Sequence, residues 1–310
     1  MDPTLAFHQQ PGAVPPTERR NPSSIGLDEL STAEVLSLLN SEDSRAIEAV
    51  GHTIEPLATL VDDAESVIRL GGSVHYFGAG TSGRLGVLDA AELVPTFGIE
   101  PTLVQAHIAG GPDAIVAAVE GSEDSVDDGV RDSRSYVRQG DLAIGLTVSG
   151  GTPYVEGALR TSREIGARTA LVTSNPAAPL ATFADHLIVA DTGPEVVTGS
   201  TRLKAGTATK VILNGFSTAL MVKRGRTYSN LMVAVVAGNR KLRERTLRIL
   251  SEVNGASIDH NARLLDEAAG DLRVAVVAAA TETGVDVARD ALHHSDGSVR
   301  DAIAMLIREA

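Results

Sequence analysis

Residues 77–97 read FGAGTSGRLGVLDAAELVPTF. The apolar run Val74–Phe77 leads into them with the character of a buried strand, and an amphipathic helical pattern follows until Pro95 and Gly98. Between strand and helix stand Gly78, Gly80 and Gly83, with hydroxyls on Thr81 and Ser82. Such a strand–loop–helix turn aims backbone N–H groups, two hydroxyls and the positive end of a helix at one place, which is the chemistry of a phosphate cradle. The Gly-x-Gly-x-x-Gly spacing also fits a dinucleotide fingerprint, which wants a carboxylate at the end of the next strand. That strand, Thr102–Ile108, runs out through His107, Ile108 and Ala109 with no acid. A terminal phosphate monoester suits the turn better than NAD.

Outward from this turn, apolar strands alternate with amphipathic helices. Strands are expected at Val74–Phe77, Thr102–Ile108, Leu142–Val148, Thr169–Thr173 and His186–Val189. Helices are expected at Leu85–Val94, Asp113–Val119, Ser125–Arg138, Pro153–Ile165 and Arg202–Met221. Near-continuous apolar strands between helices imply an α/β fold whose parallel sheet is covered on both faces, with ligands outside the carboxyl ends of its strands. Ahead of the sheet, Met1–Ser24 carries five prolines and reads as an extended or disordered lead-in. Ser31-Thr32-Ala33-Glu34 has capping-box spacing and starts a helix through Leu39. A second helical stretch from about Ser44 to Leu70 is interrupted by Pro56. After Arg224-Gly225 the pattern is wholly helical: Asn239–Val253, then shorter helices Ser257–Ala268, Leu272–Ala280, Asp286–Leu292 and Val299–Ile307 beyond a linker at Asn254-Gly255.

Composition narrows the classes of partner. The chain has 310 residues, no cysteine and a formal net charge of −13. Disulfides and thiolate metal sites are therefore excluded, and nucleic acid or an anionic membrane is a poor main partner. With no Trp and 3% aromatic residues, stacking platforms for nucleic acid are not expected. No secretory signal or membrane span is legible, so the expected location is the cytoplasm.

Three further groupings carry chemistry. Ser149-Gly150-Gly151-Thr152-Pro153 follows another apolar strand, and Pro153 suits the first turn of the next helix. Two turns of this kind converging on one phosphate explain the pair better than coincidence does. Residues 195–207, EVVTGSTRLKAGT, place Glu195, hydroxyls on Thr198, Ser200 and Thr201, and the cations Arg202 and Lys204 at the start of a long helix. On spacing alone this is a helix cap with solvated charges. Two glutamates stand apart. Glu92 shares i, i+3, i+7 spacing with Leu85 and Leu88, which either desolvates it and favours the proton-donating form or leaves it at a helix edge in water. Glu123 lies where one helix ends and another starts, a position that also simply suits an acid at a helix N-terminus. Metal-ligand spacing is absent: His293 and His294 are adjacent, and Asp124, Asp127 and Asp128 do not fit a calcium loop.

At these residues the chain resembles the N-acetylmuramic acid 6-phosphate etherases, members of the sugar isomerase (SIS) domain superfamily. The resemblance runs from Thr17-Glu18-Arg19-Arg20-Asn21-Pro22 to the last helices. It is strongest at residues 78–98, Ile108-Ala109-Gly110-Gly111, residues 119–125, Val196–Thr207 and Asn230-Leu231-Met232-Val233. It implies a three-layer SIS fold with a five-stranded parallel sheet, an N-terminal helical arm and a small C-terminal helical module, usually as a homodimer. The implied division is leader and helices 1–62, sugar-phosphate domain 63–226, linking helix 227–254 and helical module 255–310. It further implies cleavage of the D-lactyl ether of a phosphorylated amino sugar by elimination and water addition, with no cofactor or metal. In that pattern Glu92 is the acid and Glu123 the second catalytic carboxylate. Gly80, Thr81, Ser82, Gly83, Ser149, Gly150, Thr152, Ser200, Thr201 and Lys204 would surround the substrate. The sequence departs from the family at Gly151, where many relatives carry Arg, at Leu93-Val94 in place of Cys-Pro, and at Ala234 in place of Asp. Two competing functions remain: an aldose–ketose isomerase using Glu195 to move the proton, and a non-catalytic sugar-phosphate-binding regulator resembling glucokinase regulatory protein.

Overall fold

The computed structural model describes residues 15–235 and 240–309. Helix α1, Thr32–Gly51, opens on the capping box: Glu34 N donates to Ser31 Oγ (3.4 Å) and Ser31 N to the Glu34 carboxylate (2.8 Å). It continues through Leu39–Ser44, where the sequence reading placed a break, because no glycine or proline lies there to end it. The break falls later, at His52-Thr53. Pro56 then occupies the first turn of α2 (Ile54–Arg69), where its missing N–H has no helical partner to lose.

The alternating part follows as β1 (Val74–Gly78), α3 (Gly80–Phe97), β2 (Val104–Ile108), the single turn α4 (Asp113–Val116), α5 (Val126–Tyr136), β3 (Leu142–Leu146), α6 (Pro153–Ile165), β4 (Arg168–Thr173), β5 (His186–Val189) and α7 (Lys204–Lys223). The five strands form one parallel sheet in the order β2-β1-β3-β4-β5. Side-chain alternation splits them between two cores. Val74, Tyr76, Leu142, Ile144, Leu146 and Ile188 pack against α1, α2, α3 and α7. Phe77, Ala143 and Leu171 face Tyr154, Val155 and Leu159 of α6. The result is the expected three-layer α/β architecture. The chain leaves β1 toward β2 on one side and returns to β3 on the other, so the turns after β1 and β3 lie side by side at the carboxyl edge.

The last helices, α8 (Arg240–Asn254), α9 (Ile258–Glu267), α10 (Leu272–Thr281), α11 (Val285–His294) and α12 (Val299–Glu309), enclose a core of their own around Leu250, Leu265, Val277, Leu292 and Val299. They meet the end of α7 at Gly225 (φ +67°), where a Cβ would lie 2.6 Å from Ser298 Cα.

One expectation about the leader is corrected. Residues 1–14 lie outside the described residues, but from Pro15 the leader is packed rather than disordered. Thr17 and Asn21 are buried. Gly199 N donates to Thr17 O (3.2 Å), and Asn21 Nδ2 donates to Glu42 (2.9 Å) and to Pro194 O (3.2 Å). Two prolines, Pro16 and Pro22, open 3-10 turns here, where a fixed φ helps rather than hinders.

Candidate functional site

The first glycine turn is itself the opening of α3, which starts five residues before its apolar periodicity does. Ala79 is the N-cap and supplies no side-chain cap, leaving the first-turn N–H groups without that partner. Strand and helix touch at Gly78 and Gly83: a Cβ on Gly83 would lie 2.6 Å from both Gly78 O and Ile108 Cγ1. Only glycine admits this approach. Ser82 is buried beneath the turn, and Thr81 is half-buried at its edge.

The second turn is adjacent, since Gly78 and Leu146 are register partners at the ends of β1 and β3. Thr147 Oγ1 lies 2.7 Å from Thr152 Oγ1 and 3.4 Å from Ser149 Oγ, and Gly151 N donates to Ser149 Oγ (3.4 Å). Asn175 Nδ2 holds Ser149 O from the β4 side (2.8 Å). Gly150 has φ +74°, and a Cβ there would meet Ala178 Cβ at 2.3 Å. Thr152 is the N-cap of α6 yet makes no cap bond, its hydroxyl being turned to Thr147. Two helix starts without side-chain caps therefore lie side by side with their hydroxyls at the carboxyl edge of the sheet, an arrangement suited to a phosphate. A Cβ on Gly151 would meet nothing closer than Pro179 Cγ at 3.8 Å, so the side chain many relatives carry there would find room.

The third wall comes from β2 onward. Ala109 N donates to Gly78 O (3.0 Å), and a cavity of about 170 Å³ opens between Gly80, Arg84, Ala109, Glu120, Ser122 and Glu123. The structure thus brings Glu123 to the first glycine turn. Arg84 fixes this wall, its Nε donating to Ile115 O (3.1 Å) and its Nη2 to Ala117 O (2.8 Å). The sequence reading overlooked Arg84.

Glu92 is not brought there. It lies twelve residues beyond Gly80, roughly 18 Å along the helix at 1.5 Å per residue. The stripe it shares with Leu85 and Leu88 is not a desolvated one: Leu88 is 43% exposed and Glu92 is exposed. The buried face of α3 is Ser82, Gly86, Asp89, Ala90, Leu93 and Phe97. Its acid is Asp89, which accepts from Tyr76 Oη and Ser217 Oγ (3.0 Å each) and whose pKa burial raises. Taking the helical phase from the small residues Gly86 and Ala90 rather than from Leu85 and Leu88 would have found it.

The segment before α7 also differs from expectation. Glu195 is fully buried and accepts from Lys204 N (3.1 Å) and Ala205 N (2.9 Å), so it caps α7 in place of Ser200 or Thr201. Burial raises its pKa against those two bonds. Lys204, expected at the substrate, is buried with its Nζ on the Glu42 carboxylate, which Arg45 also meets (2.8 Å). Ser200 and Thr201 are half-buried on the loop, and Thr201 O and Thr81 Cγ2 both lie near Gly206. This segment therefore borders the first turn, without Lys204 facing it.

A larger cavity of about 560 Å³ lies between α3, β2 and α5, with a largely apolar lining that includes His107 and Tyr136 and no residue of either glycine turn. His107 Nε2 is 3.1 Å from His75 Nδ1, and His75 Nε2 is 3.4 Å from Asp141. Among the described residues no three His, Asp or Glu side chains converge as metal ligands would.

A parallel sheet whose neighbouring strands β1 and β3 each end in a glycine- and hydroxyl-rich turn before a helix defines a SIS-domain protein. The SIS domain profile matches residues 121–217, and that of the glucokinase regulatory protein N-terminal SIS domain matches residues 54–163. A Bacteroides fragilis structure assigned as a phosphosugar isomerase involved in capsule formation shares the fold at 19% identity, with TM-score 0.50 over 64% of this chain and 95% of its own. Within that class the relatives are specific. The chain is 55% identical over 262 residues to the N-acetylmuramic acid 6-phosphate etherase of Thermobifida fusca (strain YX), covering 84% of this chain and 86% of that one. It is 46% identical over 288 residues to that of Pectobacterium atrosepticum, covering 93% and 95%. The chain belongs to the N-acetylmuramic acid 6-phosphate etherase family.

Proposed function

We propose that this protein cleaves the D-lactyl ether of N-acetylmuramic acid 6-phosphate, giving N-acetylglucosamine 6-phosphate and D-lactate. The observation that carries the reading is the cavity in which the uncapped start of α3 and the Glu123 carboxylate face each other. The phosphate occupies the crevice of Gly80, Thr81, Ser82, Gly83, Ser149, Gly150 and Thr152, with Ser200 and Thr201 at its border. The open-chain aldehyde acidifies the hydrogen on carbon 2. One carboxylate removes that proton, the bond from carbon 3 to the ether oxygen breaks, and the second carboxylate protonates the departing lactate oxygen. Water then adds at carbon 3 and carbon 2 is reprotonated. The chemistry calls on no cofactor.

Glu123 and Glu92 are the two carboxylates, Glu92 being the acid in the elimination. Because Glu92 stands exposed and far along α3 from its own chain's crevice, a homodimer supplies it from the partner subunit. The exposed Leu88 beside it is the kind of apolar side chain that such a contact covers. We also propose the division into residues 1–62, 63–226, 227–254 and 255–310, and a cytoplasmic location. Among the described residues no helix is long and apolar enough to cross a membrane. The isomerase reading loses its base, since both Glu195 oxygens are engaged in capping α7.

Incubation of the purified protein with N-acetylmuramic acid 6-phosphate should release D-lactate. In oxygen-labelled water the label should enter the new hydroxyl on carbon 3. Intact substrate after prolonged incubation, or label in the lactate instead, would overturn the reading.

A further inference from the structure

Beside the first glycine turn, on the α7 side, lies another cavity of about 300 Å³. Thr81 and Leu85 of α3 form one wall, and Arg202, Thr207, Lys210 and Val211 form the other. Gly206 stands between the two helices, its Cβ position being 3.5 Å from Thr81 Cγ2. Thr81 thus belongs both to the phosphate crevice and to this cavity.

The charge here is unusual for the molecule. The chain holds 40 acidic against 27 basic side chains, and its other helix-surface cations commonly sit on carboxylates, as Lys223 does on Asp62 and Arg224 on Glu65. Arg202 is exposed and has no ion-pair partner among the described residues. Lys210 Nζ donates to the neutral Asn214 Oδ1. Of the carboxylates nearby, Asp89 is buried, held by Tyr76 and Ser217 and acted on by the Lys210 charge, and Asp43 accepts from Thr207 Oγ1 (3.2 Å). Two cations therefore line one cavity whose other walls are the apolar Leu85 and Val211, Gly206 and the hydroxyls of Thr81 and Thr207.

The proposed substrate carries two anions, a phosphate on carbon 6 and the carboxylate of the lactyl arm on carbon 3. The glycine turns provide for the first alone. We infer that this cavity takes the lactyl arm, with Arg202 and Lys210 pairing its carboxylate and Leu85 and Val211 meeting its methyl group. The inference rests on the etherase reading and adds how substrate is told from product: N-acetylglucosamine 6-phosphate keeps the phosphate and lacks the carboxylate.

The test compares those two ligands in wild type and in the double variant Arg202→Gln/Lys210→Met, after urea unfolding has shown that the variant is folded; Arg202 is exposed and Lys210 half-buried. The KM for N-acetylmuramic acid 6-phosphate should rise roughly three- to tenfold, the scale of losing partly exposed ion pairs. The inhibition constant of N-acetylglucosamine 6-phosphate should not move, and Arg202→Lys should retain most of the affinity. Equal weakening of both ligands would mean that the cations hold phosphate, and an unchanged KM would mean that they hold nothing; either overturns the inference while leaving the etherase reading intact. Should the wild type release no D-lactate, the etherase reading fails by itself. The two ligands are then titrated calorimetrically into the same proteins, where loss confined to the muramic acid compound sustains the carboxylate site and any other pattern removes it.

Discussion

Glu123 sits on a 3-10 turn, Ser122–Asp124, after the left-handed Gly121, and lines the same cavity as Arg84, which holds the preceding segment at Ile115 O and Ala117 O. Because the side chain is exposed and makes no packing contribution, Glu123→Gln should leave unfolding unchanged while lowering kcat by about a hundred- to ten-thousand-fold. Steady-state lactate release checks it, and near-wild-type turnover would take the residue out of the chemistry. Lys204 behaves in the opposite way. Burial alone would raise the Glu42 pKa, but Lys204, Asn21 and Arg45 together hold it below the usual range, so Glu42 is a carboxylate stabilised by its partners. Lys204→Met leaves that charge short of a partner and should destabilise by about 3 kcal/mol or more in urea unfolding. Glu42→Gln added to it should recover part of the loss, whereas additive losses would show that the pair is not coupled. These two residues mark what one sequence can tell. Glu123 entered through the resemblance, because its spacing alone fits an acid at a helix N-terminus equally well. Lys204 was not legible, since its partner lies 162 positions away and nothing local distinguishes a buried ammonium from a solvated one.

Helix α3 and strands β1 and β2 show the same division among elements. All five strands were legible as apolar runs, and their parallel pairing followed from the alternation with helices. The start of α3 was not, because glycines carry no periodicity even when they form a first turn. The merging of α1 was missed for the opposite reason: its polar middle hides an unbroken helix whose stability comes from packing on α7. Across β1, β2 and α5, His107 stacks between Phe77 (4.7 Å) and Tyr136 (4.6 Å) and contacts His75. Burial lowers both imidazoles; His107 falls to about 4, helped by the His75 charge, while Asp141 opposes the shift at His75. In the unfolded chain each takes up a proton near 6.5, and the folded chain does so only at lower pH. The stability of this layer is therefore whole above pH 6.5 and declines as pH falls from 6.5 toward about 4. Thermal midpoints across that window should drop less steeply in His107→Phe, which keeps the stack and removes one titrating group. Parallel slopes for variant and wild type would show that His107 does not contribute.

For the whole molecule, the decisive fact is that one chain presents Glu123 at its crevice and Glu92 elsewhere on its surface. If two protomers related by a two-fold axis each lend Glu92 to the other, every site is built from both chains. A homodimer of Glu92→Gln then has two dead sites, as does a homodimer of Glu123→Gln. In a mixed dimer, one site combines both defects and the other combines none. Random reassociation places half the molecules in mixed dimers, so a co-refolded equimolar mixture should regain about a quarter of wild-type lactate release, since half of the sites in half of the dimers are intact. Were both glutamates of one site to come from the same chain, each site would carry one defect in every combination and the mixture would stay as inactive as its components. The outcome depends only on which chain supplies which acid, and a reading of substantial activity can arise in no other way once each variant alone is inactive. Failure to regain activity, with mixed dimers demonstrated by a tag on one partner, would mean that α3 must bend or move within one protomer to bring Glu92 to the sugar.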